Sequence, residues 1–210
     1  LTNYKNIEKL DEQIGLILNQ LKADGLYENT IIFFFSDHGG PFPRYKRSIY
    51  ETGLHVPMIV KWIDNTHVGK NNQLISFVDF APTILDAANI EREFPFEGTS
   101  FNKKDQRKYI YAATDRFDGS TDMRRSIRDS NFKLIYSADT TTPVYKQVVY
   151  RQQMKTMQVL DSLQLNKQLN TYFANWYSKN KDRFELYEVS EDYYEVDNLI
   201  HNPKYDSIYK

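Results

Sequence analysis

Three residues, Asp37, His38 and Lys46, have the side chains and the spacing expected of a catalytic or metal-binding site. Asp37 and His38 are adjacent and precede two glycines, and Lys46 follows His38 by eight residues. A carboxylate offers hard oxygen and an imidazole offers nitrogen, so the pair could bind one divalent cation. Arg44 and Arg47 flank Lys46, and this charge could hold an anion beside the metal. A plain turn, with a capping Asp and a glycine at positive φ, is the alternative.

Two apolar segments enclose this loop and are predicted strands. Residues 31–35 are five consecutive apolar positions, rich in β-branched and aromatic types, which favours a short buried strand over a helix. Residues 56–60 are a second apolar run. Nearly continuous apolar character is typical of strands covered on both faces. If the first strand is parallel to its neighbours, Asp37 and His38 lie where open α/β sheets bind ligands.

Helices are predicted before and after these strands. Within residues 4–21 the apolar side chains recur at intervals of three and four, which predicts one face of a helix: Tyr4, Ile7, Leu10, Ile14, Ile17, Leu18 and Leu21. Gly25 then ends that helix. Further along, Asp79 is placed to cap a helix over residues 80–88, with Pro82 tolerated in its first turn.

The pattern of polar and apolar residues changes in the second half of the chain. A domain boundary is predicted within segment 92–107, which is charged and irregular. Residues 129–131 (Asp-Ser-Asn) are a hairpin signal. Residues 145–177 contain spaced Met and Leu without Pro or Gly, which predicts a mostly helical segment. An antiparallel sheet with helix on one face is the simplest assembly. Its predicted strands are residues 108–113, 123–128, 132–136 and 184–189.

The amino-acid composition argues against several classes of function. The 27 basic and 28 acidic side chains nearly balance, so no global field favours nucleic acid or a membrane surface. No segment sustains the roughly 18 apolar residues of a membrane span. The chain has no cysteine, which excludes disulfides and thiolate metal sites. The 16 Tyr and 13 Phe are assigned mainly to core, although carbohydrate-binding surfaces also use aromatic faces.

Several motifs occur together in an order that resembles a known family. The segment I-I-F-F-F-S-D-H-G-G is followed by Lys46 and by Y-E-T-G-L-H-V-P-M-I-V. Residues 79–85 then read D-F-A-P-T-I-L, and residues 185–187 (E-L-Y) precede Glu195 and Asn198. Over nearly the whole chain this resembles the second half of the type I, formylglycine-dependent sulfatases of the alkaline phosphatase superfamily.

The resemblance implies a fold and a site. Residues 1–100 would be the carboxyl-terminal part of an alkaline-phosphatase-like α/β sandwich, and residues 101–210 a small α+β subdomain with an antiparallel sheet. Asp37 and His38 match two calcium ligands, and Lys46 matches the catalytic cation that holds the sulfate group. Many relatives carry Asn where His38 stands, so the metal could be Ca²⁺ or a softer ion such as Mn²⁺.

The resemblance also implies that the site needs more than this chain. The family's nucleophile is a formylglycine made from Cys or Ser in a C/S-x-P-S/A-R motif, and that motif belongs to the amino-terminal half. Calcium takes about six to eight oxygen ligands, and two ligands do not complete such a shell. We therefore expect an amino-terminal sulfatase half as partner and an isolated chain that is catalytically inert. The family is periplasmic or secreted, and lysosomal in eukaryotes.

Residues 115–118 and 125–135 resemble the corresponding segments in the branch of the sulfatase family that contains heparan N-sulfoglucosamine sulfohydrolase. The implied substrate is a sulfated glycan, with glucosamine N-sulfate preferred over O-sulfated sugars. Arg116 and Asp118 could read a sugar hydroxyl or carboxylate, or could form an exposed ion pair with each other. His55, which replaces a family Arg, is expected to be a packed surface residue.

Other residues near these segments are assigned to the fold. Arg125 and Arg128 are predicted partners of nearby acids, and Glu185 and Glu195 are predicted to hold the closing segment in place. Two alternatives to a sulfatase stay open: a phosphodiesterase or phosphonate monoester hydrolase of the same superfamily, and a non-catalytic fragment or binding module in which Asp37 is only a turn residue.

Overall fold

The computed structural model describes residues 2–64, 68–91, 93–103 and 107–209. The chain forms two compact units: Leu1–Ser36 with Pro57–Asn71, and Asp37–Val56 with Asn72–Lys210. The domain boundary predicted near residue 100 stays a prediction, and residues 92 and 104–106 of the predicted boundary segment lie outside the described residues. Among the described helices, none combines the length and apolarity needed to cross a membrane.

The first unit begins with the predicted helix. Helix α1 spans Thr2–Ala23, and Gly25 adopts a φ of 69° directly after it. The Leu26 N–H donates to the Leu21 carbonyl at 2.9 Å, so the helix closes with a Schellman-type turn that only glycine enters without strain. A 3-10 turn at Tyr27–Asn29 leads to the next element.

Strands β1 (Ile32–Phe35) and β2 (Met58–Lys61) form a two-stranded sheet. They are antiparallel, with Ile32 opposite Lys61, so the condition of a parallel strand is not met for this pair. The prediction that both faces are covered is also wrong within the described residues, because Ile59 is 63% exposed and Phe35 is 40% exposed. The apolar runs were read correctly as strands, but one antiparallel partner cannot bury both faces.

In the second unit, α2 (Glu51–Leu54) follows the Asp-His loop, and α3 (Phe80–Ala87) lies where the sequence predicts it. The predicted cap is wrong, because a 3-10 turn precedes α3 and is capped by Ser76. The Asp79 carboxylate instead accepts the Ser76 and Thr99 N–H groups at 2.8 Å each and pairs with Arg107. The buried Asp79 side chain therefore links three segments of the chain.

Four antiparallel strands form the main sheet in the order β3-β4-β5-β6, which confirms the predicted antiparallel sheet. The Asp129 carboxylate accepts the N–H groups of Asn131 and Phe132 at 2.8 and 2.7 Å, which confirms the predicted hairpin. Asp118 forms an unpredicted second hairpin with a φ of 52°. The strands are β3 (Ile110–Phe117), β4 (Ser120–Arg128), β5 (Phe132–Ser137) and β6 (Phe184–Glu188).

The helical segment is divided into three pieces, α4 (Val149–Gln152), α5 (Lys155–Leu165) and α6 (Thr171–Tyr177). The break after α5 has a local cause, because Lys167 adopts a φ of 56° and Asn170 caps α6 through the Phe173 N–H at 3.1 Å. A last helix, α7, spans Asp206–Tyr209.

Two apolar clusters form the core of this unit. The first joins the Asp-His loop to the main sheet, since Ile49 and Tyr50 pack with Ile135, Tyr187 and Val189. The second packs the helices together and consists of Met157, Leu160 and Trp176. The loop that carries the candidate chemistry is thus anchored in the core of its own unit.

Candidate anion and metal site

The loop over residues 37–56 is closed on itself by two glycines. The Gly39 N–H donates to the Gly53 carbonyl at 2.9 Å. A Cβ at Gly39 would lie 2.0 Å from the Thr52 carbonyl oxygen, and one at Gly53 would lie 2.3 Å from the Ser48 carbonyl oxygen. Both separations are far below van der Waals contact, so only glycine permits this close backbone approach. The first glycine of the Asp-His-Gly-Gly sequence therefore has a packing role.

Asp37 and His38 lie at the start of this loop with their polar atoms close together. Their side chains are 80% and 40% exposed, and Asp37 Oδ2 is 3.4 Å from His38 Nε2. The His38 Nδ1 is 2.8 Å from the Gly39 carbonyl oxygen, which can only accept, so Nδ1 carries the hydrogen. That tautomer is the one typical of metal-binding histidines, which donate the other ring N–H to a carbonyl.

This pair fits a divalent cation as a partial ligand set. Two ligand atoms 3.4 Å apart can both reach one ion at about 2.3–2.6 Å. The rest of a shell is not found nearby, because the residues described by the structure contain no group of three or more His, Cys, Asp or Glu side chains that could hold a metal ion. Asp37 and His38 thus fit two positions of a shell that needs further ligands.

The backbone of Lys46 is hydrogen-bonded to the Asp-His-Gly-Gly turn. Its N–H donates to the Gly40 carbonyl at 3.1 Å, and Arg44 and Arg47 on either side adopt φ values of 64°. Positive φ at non-glycine residues costs energy and tends to cluster at functional sites. Within the part of the chain that the structure describes, no carboxylate lies within ion-pair distance of Lys46. That its ammonium shares one ligand with Asp37 stays a prediction.

Arg44 belongs to the fold and not to an anion site. Its guanidinium donates to the Tyr194 and Glu195 carbonyls at 2.5 and 2.7 Å. It stacks between the rings of Tyr50, at 3.9 Å, and Tyr172, at 4.2 Å. The arginine is 5% exposed, so the expectation that it adds charge for an anion beside the metal is wrong.

Arg47 connects the Lys46 loop to the hairpin between β3 and β4. Its Nη1 is 2.6 Å from Asp118 Oδ2, and the Arg116 Nε donates to the Asp118 backbone carbonyl at 2.9 Å. The structure therefore brings Asp118 beside the residue that follows Lys46. The alternative of an ion pair between Arg116 and Asp118 is wrong, because the Asp118 carboxylate pairs with Arg47. Roles for Arg116 and Asp118 in substrate reading stay predictions.

A small cavity is lined in part by the Lys46 loop, and most of its charged lining residues are cations. Its volume is about 20 Å³, room for about one water molecule. The charged lining residues are Arg44, Lys46, Arg47, Asp122, Arg124 and Arg151. The acid among them is held at 2.6 Å by Lys181. Arg151 was missed from the sequence, since nothing in its Gln- and Lys-rich segment distinguishes it from a surface helix.

The predicted fold-holding acids are confirmed as buried partners. Glu185 receives the Tyr50 hydroxyl at 2.7 Å and pairs with buried Arg124 at 2.5 Å. Arg125 pairs with Asp115 at 2.7 Å, so the predicted structural role of this arginine is also confirmed.

A second buried cluster fixes the end of the loop to the sheet. Lys133 Nζ lies 2.9 Å from Glu51 Oε1 and 3.0 Å from Glu195 Oε1. The Arg128 Nε is 3.1 Å from the same Glu51 oxygen, and the Glu51 N–H donates to Glu195 at 2.5 Å. His55 is an exposed partner of Glu51 at 3.2 Å, which agrees with its predicted surface role.

Burial and neighbouring charges shift the pKa values of Glu51 and Glu195 in opposite directions. Burial raises the pKa of Glu195 to about 7, against the opposing charge of Lys133. Burial also disfavours ionised Glu51, but the hydrogen bond from His55 and the charges of Lys133 and Arg128 outweigh it and lower its pKa to about 2. Glu51 is thus the ionised member of the pair at neutral pH, and Lys133 lies within ion-pair distance of both carboxylates.

The chain is similar to sulfatases in sequence. The Sulfatase family model matches residues 2–90. An ulvan-active sulfatase of Formosa agariphila is 42% identical over 208 residues, covering 97% of this chain and 35% of the relative. Human N-sulphoglucosamine sulphohydrolase is 24% identical over 225 residues, covering 96% of this chain and 43% of the relative. The chain therefore spans less than half the length of these curated relatives.

Solved structures give the same fold. The structure of BT4656 with D-glucosamine-2-N,6-O-disulfate matches 96% of this chain and 36% of that chain, with a TM-score of 0.63 and 24% identity. A phosphonate monoester hydrolase of Agrobacterium radiobacter matches 96% of this chain and 37% of that chain, with a TM-score of 0.62 and 17% identity. At these identities the likeness shows the fold alone. It confirms the predicted alkaline-phosphatase-like α/β class.

Proposed function

The chain belongs to the sulfatase family, and we propose that it forms the carboxyl-terminal part of an enzyme that hydrolyses sulfated glycans. The observation that carries the proposal is Lys46, a half-buried cation without an acidic partner among the described residues, whose backbone is bonded to the turn that presents Asp37 and His38. A cation left unpaired in a loop fixed by glycines suits an anionic substrate group.

The residues of this chain would divide the work as follows. Asp37 and His38 would hold a divalent cation, calcium or a softer ion such as manganese, which when bound supplies positive charge beside the sulfate. Lys46 would bind a sulfuryl oxygen, and its charge would be most effective where negative charge develops during cleavage. The formylglycine nucleophile would come from the preceding part of the enzyme, which would also complete the metal shell.

The first unit supports a partner segment of this kind. Leu16 and Ile17 of α1 are 70% and 62% exposed, and Ile59 of β2 is exposed as well. Large exposed apolar side chains of this kind suit a buried interface, and an amino-terminal sulfatase half would cover them. A glycan-degrading sulfatase of this family would work outside the cytoplasm, in the periplasm, after secretion or in a lysosome.

The substrate class is proposed from relatives. The names of two of them refer to ulvan and to N-sulphoglucosamine, and the structure of BT4656 contains a disulfated glucosamine. All three indicate sulfated carbohydrate. Glucosamine N-sulfate of heparan sulfate remains the specific substrate proposed from the sequence, and the higher identity to the ulvan-active relative makes ulvan the necessary comparison.

Activity is tested with the full-length protein that contains this chain. We expect it to release inorganic sulfate from heparan sulfate or ulvan oligosaccharides, and we expect no release by residues 1–210 alone, because the nucleophile and the rest of the metal shell would be absent. Release is measured by ion chromatography. Preferred turnover of phosphodiesters or phosphonate monoesters would replace the proposal with phosphorus chemistry. Binding without hydrolysis of any ester would indicate a binding module.

Metal binding is tested separately by calorimetry with the full-length protein. Loss of an outer-shell partner already weakens metal binding about 10–100-fold, so we expect Asp37→Ala to weaken calcium binding at least that much. Asp11→Ala, an exposed carboxylate on α1, is the matched control and should bind like the parent. Equal affinity of the parent and Asp37→Ala would mean that Asp37 is only a turn residue.

A further inference from the structure

An aromatic groove lies against the Lys46 loop and has no role in the site described above. Its volume is about 570 Å³, within the range of about 300–1,000 Å³ typical of ligand pockets. We infer that this groove binds the uncharged face of a sugar ring next to the sulfated sugar. The inference rests on the proposed function and adds a second subsite to it. The groove is lined chiefly by Phe42, Tyr45, Asn170, Tyr172, Phe173 and Tyr194.

The groove and the cationic cavity are lined by neighbouring residues of one loop. Phe42, Pro43 and Tyr45 line the groove, whereas Lys46 and Arg47 line the cationic cavity. Tyr45 and Lys46 are consecutive, so their Cα atoms are about 3.8 Å apart. The proposed ligand contacts Lys46 with its anionic group and extends across this loop to the aromatic groove.

The two sides differ in charge in the way that a sulfated glycan requires. None of the residues lining the groove carries a formal charge, and its polar lining residues are Thr156, Asn170 and the tyrosines. Aromatic faces suit the C–H face of a pyranose, and hydroxyl and amide groups suit its hydroxyls. The neighbouring Lys46 ammonium suits a sulfate. A ring-shaped, uncharged body with an anionic group attached matches both sides.

The groove walls are also held in place before a ligand arrives. Arg44 stacks on the Tyr172 ring at 4.2 Å and donates to the Tyr194 carbonyl at 2.5 Å. The Tyr172 and Tyr194 rings form an edge-to-face pair at 6.2 Å, and Phe42 and Tyr45 form another at 5.7 Å. Walls fixed by packing lose little conformational freedom on binding, which favours affinity.

Tyr194 is the residue to change, because its ring is half exposed and the Arg44 bond uses only its backbone. In the full-length protein, Tyr194→Ala should raise both the Kd and the KM for a heparan sulfate tetrasaccharide, or for the ulvan tetrasaccharide if the parent prefers it, about 2- to 12-fold. Tyr194→Phe keeps the ring and loses only the hydroxyl, so its Kd and KM should lie closer to the parent values than those of Tyr194→Ala. Tyr111→Ala, an exposed tyrosine on β3 outside the groove, is the matched control and should also behave like the parent.

The outcomes separate this inference from the proposed function. A small aryl sulfate, which cannot reach the groove, should be hydrolysed equally by Tyr194→Ala and the parent. Equal tetrasaccharide Kd in the two proteins would overturn the sugar subsite, and so would an equal loss with both substrates. If the parent hydrolyses no ester, the proposed function fails while the Kd comparison still judges the groove. Self-association that Tyr194→Ala abolishes would assign the groove to a second copy of the chain.

Discussion

Replacing Lys46 with alanine is expected to lower kcat/KM for sulfate esters about 10²–10³-fold, the usual effect of removing one fixed group that stabilises developing charge. The reason is specific to this cation. Arg44 is enclosed by Tyr50 and Tyr172 and Arg47 is engaged by Asp118 at 2.6 Å, so neither is placed to replace it. The measurement is steady-state sulfate release by the full-length protein.

Two further variants separate charge from packing at this position. Lys46→Arg keeps the positive charge and should recover part of the activity, although its planar fork is not equivalent to an ammonium. Lys103→Ala removes a half-exposed lysine that pairs with Asp86 at 2.9 Å, and it should leave kcat/KM unchanged. Retention of more than about one third of the parent kcat/KM by Lys46→Ala would remove this residue from the proposed site, because the expected effect is at least about a hundredfold.

The sequence was sufficient for elements with strong local signals. The periodic helix α1, the Asp129 hairpin and the individual strands of the antiparallel sheet all follow from patterns within a few residues of one another. The cap of α3 was misassigned because Ser76 and Asp79 are both good capping residues, and only the fold shows that Asp79 is occupied by Ser76, Thr99 and Arg107.

The site was less predictable because its geometry depends on residues far apart in the chain. Arg44, Lys46 and Arg47 look alike in the sequence, but they differ once Tyr194 is placed beside the first and Asp118 beside the third. A positive charge acquires its role from the partner that folding brings to it, and local spacing does not contain that partner. The same holds for the aromatic groove, whose walls come from four separate segments.

Replacing Lys133 with methionine is expected to destabilise the protein by about 3–5 kcal/mol, the usual cost of breaking a buried ion pair by removing one partner. Lys133 is 1% exposed and lies within 3.0 Å of both Glu51 and Glu195. Methionine fills similar space without the charge, so Glu195 would lose its Lys133 partner and Glu51 would keep Arg128 and His55. Because Glu51 begins α2 at the end of the Lys46 loop, the loop would lose its anchor to β5. Urea unfolding followed by circular dichroism measures the loss.

The pH dependence of this variant distinguishes lost charge from lost packing. Without the ammonium, burial would raise the folded-state pKa of Glu195 further above its ordinary 4.5, and the pKa of Glu51 would rise from its present low value. An acid whose folded pKa is raised destabilises the protein as pH rises above its unfolded pKa, so the loss should be larger at pH 8 than at pH 5. Exposed Lys108→Met is the matched control and should stay within about 0.5 kcal/mol of the parent. A loss that is equal at both pH values, or that stays below about 1 kcal/mol, would contradict a charge-held anchor.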